Sequence, residues 1–417
     1  MKVISSNLNW GKDNWKGILE SDAKGYYAYL PAVFIYQDLN FGFLEEIQEK
    51  YPAPHLDYDY RAGANGARIN KYYVGTALLQ LPFFATAHWL TKLTGGDADG
   101  YSKWYLISVN IAALFYLFIG LLYLRKTLSS FKLAEIWIAL LLFATTFGTN
   151  LFVYSAVEPG MSHVFSFALI SLWIYQLRMI QLQNDFRRWI ALALISGLII
   201  VVRPVNVLVF LGLPFVIGDR NDFLQIVKGL FSKPQYFLLL IPAAALFPFI
   251  QLSIYKFSAG SWWVYAYGQE TFNFADPNFV KILFSYKKGL FLYTPLYLLS
   301  FVGLIPLWSK DRFRFWSWWF FFLVITYVFS SWWMWFYGGS FSSRVYVEYL
   351  PFFMLLFSFS FKFLKNRKLR MGLAFAACLL IILCQIQSYQ YRYYIIHYSE
   401  MNQEKYWDNF LRLKTND

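Results

Sequence analysis

The chain has 417 residues, of which 58% are hydrophobic, 22% aromatic and only 15% charged. A soluble domain carries about a quarter charged residues, so this composition argues against a soluble globular protein and for one solvated largely by lipid. The net charge of +13 does not call for nucleic acid, because the basic residues sit in loops between apolar runs, where membrane topology accounts for them.

Residues 1–20 contain Lys2, Lys12, Asp13, Lys16 and Glu20 and lack the apolar core of a signal peptide. Next comes Glu20-Ser-Asp22-Ala-Lys-Gly-Tyr26-Tyr27-Ala-Tyr-Leu-Pro31, an acidic start followed by an aromatic turn. A carboxylate held by tyrosines at the rim of a bilayer is a candidate for chemistry; Asp22 is either a base or a solvated aspartate. Segment 72–93 contains Gly75, Gln80, Pro82 and His88 and reads as an interfacial or re-entrant helix, with a simple crossing as the alternative.

A bilayer is crossed by about 20 apolar residues. Runs of that length lie at 104–124, 134–154, 162–182, 236–256, 289–308, 316–333, 345–364 and 371–391. The longer run 189–218 is interrupted by Arg203-Pro204. Proline disfavours the helix for the residue before it and removes a backbone donor, so this run predicts two broken helices meeting at the arginine. The expected fold is all-α, a polytopic membrane helix bundle of about ten spans over 104–391. Residues 1–103 form an outer-face loop with interfacial helices, and 392–417 a short tail on the same face. Cys378 and Cys384 fall inside one apolar run and provide neither a disulfide framework nor zinc spacing.

Loop charge sets the orientation. One set of alternate loops holds seventeen basic residues: Arg125, Lys126, Lys132, Arg178, Arg187, Arg188, Arg220, Lys228, Lys233, Lys310, Arg312, Arg314, Lys362, Lys365, Arg367, Lys368 and Arg370. The opposite loops hold five: Lys103, Lys281, Lys287, Lys288 and Arg344. By the positive-inside rule the first set is cytoplasmic and the second faces outward. Residues 1–71 would then lie outside with no helix to deliver them, so the expectation is that a first spanning helix is missing from the start of the chain. A cytoplasmic 1–71 with 72–93 spanning is the alternative.

The outward loops carry the unusual side chains. Ser155-Ala-Val-Glu158-Pro-Gly-Met-Ser-His163 sets a carboxylate and an imidazole at the mouth of two spans. Ionisable groups at that depth line a cavity or pair with each other, although Glu158 also suits the cap of the next helix. Arg203 can present paired donors to a phosphate or snorkel to the interface. Lys287 and Lys288 have a lipid or sugar phosphate as a sensible partner, with headgroup anchoring as the alternative. In Trp332-Trp-Met-Trp335-Phe-Tyr-Gly338-Gly339-Ser-Phe-Ser-Ser-Arg344, glycines allow close approach, tryptophans offer stacking faces and Arg344 offers a fixed charge.

The order of these motifs resembles the bacterial GT-C glycosyltransferases, such as protein O-mannosyltransferases and the aminoarabinose transferase of lipid A. The order runs from the early Asp22 through Asn70-Lys71-Tyr-Tyr-Val-Gly75, Glu158-Pro-Gly-Met-Ser-His163, Arg203-Pro204 and Lys288-Gly-Leu-Phe-Leu-Tyr-Thr-Pro295 to Trp335-Phe-Tyr-Gly-Gly-Ser-Phe-Ser-Ser-Arg344. Where the family shows Tyr-Pro-Pro-Gly, this chain reads Tyr72-Tyr-Val-Gly75. The resemblance implies an enzyme that takes a sugar from a polyprenyl-phosphate donor on the outer face and passes it to a lipid, glycan or protein acceptor. It also implies Asp22 as the base and Lys71 as a phosphate ligand. Arg203, Lys287, Lys288 and Arg344 are further candidates to steady the leaving phosphate, while Glu158 and His163 would orient the acceptor or assist Asp22. Tyr26, Tyr27 and Trp335 are expected at the sugar or acceptor. Relatives can carry a divalent metal, but no ligand cluster in this sequence compels one. There is no glycine-rich nucleotide fingerprint. A lipid-linked oligosaccharide polymerase or ligase, or a flippase-type transporter, is the alternative; the latter would show paired broken repeats, and only Arg203-Pro204 is visible.

Overall fold

The computed structural model describes residues 14–51, 56, 59–63 and 66–414. The expectations for residues 1–13 and 415–417, the ends of the outer-face loop and of the tail, lie outside the described residues.

After a short 3-10 turn at Asn14–Ile18 come helices α1 (Asp22–Phe34) and α2 (Leu44–Lys50). A two-stranded antiparallel hairpin follows, β1 (Tyr60–Ala62) against β2 (Arg68–Asn70), with Arg61 opposite Ile69. The helices then run as α3 (Gly75–Leu93), α4 (Lys103–Ser130), α5 (Glu135–Phe147), α6 (His163–Leu182), α7 (Phe186–Val202), α8 (Leu213–Ile217), α9 (Arg220–Phe231) and α10 (Phe237–Ala259). Short helices α11 (Phe279–Phe284), α12 (Leu290–Tyr293), α13 (Leu296–Ser300) and α14 (Leu304–Lys310) lead to α15 (Arg312–Ser330), α16 (Leu350–Phe363), α17 (Arg367–Arg392) and α18 (Gln403–Asp408).

Among the described residues, six segments are long and apolar enough to cross a membrane: Lys103–Ser130, His163–Leu182, Pro234–Ala259, Arg312–Ser330, Arg344–Phe363 and Arg367–Arg392. The other apolar runs form shorter helical stretches, at Glu135–Phe147, Pro204–Ile217 and Leu296–Lys310. The run 134–154 is interrupted after Phe147 at Gly148 and resumes in a π-helical turn at Val153–Val157, and 289–308 is broken at Thr294-Pro295 between α12 and α13. Proline removes a backbone donor and turns its predecessor away from the helix. The same physics produces the expected break at Arg203: α7 ends at Val202, Arg203 is extended (φ −154, ψ 119), and a 3-10 stretch resumes at Pro204.

The Arg344–Phe363 segment forms the centre of the bundle, with 94% of its apolar window buried, against 11% for Pro234–Ala259 at the periphery. Helix α4 packs on α6, α6 on α7, and α7 on α10. Helix α3 packs on α1 and α4, leaving Trp89, Leu90 and Leu93 exposed. The tail folds back, with the Tyr406 ring of α18 tilted against Tyr286 and perpendicular to Tyr293.

Candidate functional site

Asp22, Glu158, His163, Arg203, Lys288, Arg344 and Glu348 sit at or close to helix ends, and Tyr72 in the loop between β2 and α3. They gather at one end of the bundle because the chain reverses there repeatedly. Asp22 is the first residue of α1, His163 the first of α6, Arg203 follows the last of α7, and Arg344 opens the central segment.

The Asp22 carboxylate makes two strong contacts. Its Oδ2 lies 2.8 Å from Arg344 Nη2, and its Oδ1 accepts the Tyr72 hydroxyl at 2.9 Å. That hydroxyl is also 3.1 Å from Asp59 Oδ2, so one proton serves two carboxylates. Burial acts to raise the Asp22 carboxyl, but Arg344, the Tyr72 hydroxyl, Lys71 and Arg203 together hold it below its ordinary value of 3.8. Asp22 is therefore an anion at neutral pH.

Local backbone choices deliver these groups. Ser21, just before Asp22, has φ 49, and Ser342, just before the Ser343-Arg344 pair, has φ 57. Positive φ in a non-glycine residue costs roughly 1–3 kcal/mol and gathers at functional sites. Gly25 lets the Tyr72 ring lie against α1, since a Cβ there would come within 2.1 Å of Tyr72 Cδ2. Asn70 fixes the same corner: its Nδ2 donates to Gly25 O at 2.8 Å and its Oδ1 accepts from Tyr72 N at 3.0 Å. Gly25→Ala is expected to cost about 1–3 kcal/mol through overpacking and to lift Tyr72 off Asp22. Thermal unfolding of the solubilised protein measures this; unchanged stability would show that the ring shifts freely.

A second layer joins the hairpin to loop 260–278. Lys71 Nζ is 3.1 Å from Asp59 Oδ2 and 2.7 Å from Glu270 Oε1. Arg61 Nη2 reaches Glu270 at 3.0 Å and Asp59 at 3.4 Å. Deeper in the bundle, Glu348 Oε1 accepts from Arg203 Nη1 at 2.5 Å and from His163 Nδ1 at 3.0 Å. The four cations Lys71, Arg61, Arg203 and Arg344 thus face the four carboxylates Asp22, Asp59, Glu270 and Glu348.

Glu158 does not cap α6. Its Oε1 accepts the Tyr391 hydroxyl at 2.6 Å, while α6 begins behind Ser162 with no side-chain cap bond. Burial raises the Glu158 carboxyl above its ordinary value, against the pull of Tyr391, Arg344 and Lys288. Lys288 is buried, its ammonium donates to the Ser340 carbonyl, and burial pushes it down to about 7 despite Glu158 nearby. A cavity of about 630 Å³ opens beside these groups, lined among others by Glu20, Ser21, Glu158, Tyr391, Tyr394 and Tyr398.

No protein-family model, curated protein or solved structure matches the chain. A reading of its function therefore rests on the side chains themselves.

Of the residues expected at the site, Asp22 and Arg344 are in direct contact, and Lys71 joins them through Tyr72 and Asp59. The Tyr26 ring packs tilted against Tyr72 (centroids 4.8 Å) and its hydroxyl accepts from Ser162. Arg203 and His163 share Glu348. Tyr27 points the other way: it is fully buried, packs on Phe84 and Tyr101, and donates to the Gly100 carbonyl. Lys287 lies 3.6 Å from the centroid of the Phe336 ring, and half-buried Trp335 packs edge-on to that same ring; neither is in contact with Asp22.

Sequence reasoning missed Glu348, Asp59, Glu270 and Tyr391. Glu348 had a readable signal, being a lone carboxylate within an apolar run four residues after Arg344. Among the described residues no group of three His, Cys, Asp or Glu side chains converges as a metal site. The acids near Asp22 are each held by a cation or a tyrosine, an arrangement that does not fit a divalent ion.

Proposed function

We propose that this chain is an integral membrane glycosyltransferase that moves a sugar from a polyprenyl-phosphate donor to an acceptor hydroxyl. In this reading the broken helices complete about ten crossings, by the bilayer-length argument, and the bias of loop charge supports an outer-face position for the Asp22 end. The observation that carries it is the contact between Asp22 and Arg344, which joins a base to a phosphate-binding fork.

The chemistry is balanced at that contact. The acceptor oxygen attacks the anomeric carbon, the bond from that carbon to the phosphate oxygen breaks, and the acceptor proton passes to Asp22. The donor phosphodiester carries one negative charge, and departure as a monoester adds a second. Protonation of Asp22 releases Arg344 as that charge appears. Arg344 also keeps Nε buried and without a hydrogen-bond partner among the described residues, a donor in reserve for phosphate oxygen. The cavity bearing Glu158 and the tyrosines is the place for the acceptor.

The test is sugar transfer by the purified chain in liposomes, with a set of labelled polyprenyl-phosphate sugars and an extract of envelope lipids and glycans as acceptors. Labelled product that requires the lipid-linked donor supports the reading. Failure with every donor, alongside donor movement across the bilayer, would favour the flippase.

Lys288 supplies a pH signature. Its ammonium is charged below about 7 and neutral above it. If it steadies the leaving phosphate, turnover falls as pH rises through that value. Lys288→Arg, which stays charged, should flatten the fall; a profile unchanged by the substitution removes Lys288 from the step.

A further inference from the structure

The opposite end of the bundle holds a second convergence of charge. Arg178 lies fifteen residues along α6 from His163, about 22 Å at 1.5 Å per residue. There the ends of α4, α6, α15 and α16 meet around buried Phe131. Arg178 Cζ is 4.3 Å, Arg314 Cζ 5.6 Å and Lys362 Nζ 5.8 Å from that ring's centroid.

The three cations are not equally answered. Arg314 bonds Asp311 and donates from Nε to the Phe215 carbonyl at 2.9 Å and from Nη2 to the Ile217 carbonyl at 3.1 Å. Arg178 gives Nη1 to the Gln181 amide oxygen at 2.5 Å and keeps Nε buried without a hydrogen-bond partner among the described residues. Asp222 acts on Arg178 only through space, its carboxylate being bonded by Gln181 Nε2 at 2.9 Å. Among the described residues no carboxylate comes within ion-pair distance of Arg178 or Lys362. One ring attracts each cation but does not relieve their mutual repulsion. Helix C-termini help only by about half a charge each, screened by solvent.

We propose that Arg178 and Lys362, with Arg314 behind them, bind the phosphodiester headgroup of an anionic lipid. The neighbouring helix α9 argues for a lipid rather than a soluble anion. It has no buried residue, exposes Leu224 and Phe231, and sets Arg220 and Lys228 among its polar residues. Such a helix lies in the plane of the headgroups. Asp222 on α9 is tied through Gln181 to α6, which holds the cation cluster at headgroup depth, where basic pockets between helices take anionic lipids. A general excess of basic residues on this face satisfies topology without bringing three of them to one ring.

The full-length protein, purified in neutral detergent, is titrated with phosphatidylglycerol, phosphatidylcholine or inorganic phosphate. Retained lipid is read by native mass spectrometry, and stability by thermal unfolding. Phosphatidylglycerol should remain bound and raise the midpoint where phosphatidylcholine does not. Arg178→Gln/Lys362→Gln should weaken it by roughly fivefold per charge removed, and Lys362→Arg should restore its share. Lys365→Gln/Lys368→Gln, on exposed residues of the same face, should leave binding unchanged. If Arg178→Gln fails to fold, Lys362→Gln alone carries the test with a fivefold loss expected. Equal losses in both double variants, equal retention of phosphatidylcholine, or equal stabilisation by inorganic phosphate would each overturn the proposal. Because the readout is binding, the result is independent of sugar transfer.

Discussion

Asp22→Asn is expected to lower sugar transfer by about two to four orders of magnitude, the range supplied by a positioned general base, without unfolding the chain. Asparagine keeps the shape and still accepts the Tyr72 hydroxyl, but it takes no proton and no longer neutralises Arg344. The two effects separate kinetically. Turnover collapses because the base is gone, whereas the donor KM falls or holds, because Arg344 is left free to meet phosphate. A carboxylate that only anchored Arg344 would give the reverse, weaker donor binding with turnover largely intact. Transfer within tenfold of the parent protein removes Asp22 as the base. The pH dependence has a defined sign. Asp22 sits below the ordinary aspartate value of 3.8 while Arg344 holds it, so its charged form is fully present above that value and lost only as pH falls below it. A base that acidic is weak, and in the proposed step it gains strength only as the departing phosphate draws Arg344 away.

The parts of this arrangement readable in sequence are the local ones. The break at Arg203-Pro204 follows from a constraint between adjacent residues. Asp22 and Arg344 stood out as charges beside apolar runs, whereas Lys71 followed only from the resemblance. Hydropathy, by contrast, averages over about 20 residues, so Gly148 and Thr294-Pro295 interrupt spans that the average joins. The same averaging hid Glu348 among aromatic neighbours. Its partners lie 145 and 185 residues away in the chain, a separation that no local pattern encodes. Tyr26 and Tyr27 illustrate a different loss. Both were expected at the sugar, but neighbouring residues on a helix point about 100° apart, so Tyr26 turns toward Tyr72 and Tyr27 turns into the core. Lys287 stood out as a cation on the sparsely charged side, yet its ammonium lies over Phe336, a contact made only when two loops fold together.

Glu348→Gln tests the two roles left open for Arg203, anchor or phosphate ligand. The Glu348 side chain is 1% exposed and that of Arg203 16%. Removing one partner of a buried ion pair costs about 3–5 kcal/mol, since the other charge stays behind uncompensated; the partial exposure of Arg203 favours the lower end. The unfolding midpoint should therefore fall clearly. Arg203→Gln/Glu348→Gln should recover part of the loss, because no stranded charge remains. Purely additive losses would show that the contact is not coupled. The informative quantity is donor affinity. If Arg203 reaches the donor phosphate, freeing it from Glu348 tightens donor binding even as the fold weakens, and the double variant loses that gain. Stability and affinity would then move in opposite directions, which a structural pair cannot produce. If donor binding stays constant across both variants, Arg203 and His163 serve only to hold Glu348 at the centre of the bundle, and the leaving phosphate depends on Arg344, Lys71 and Lys288.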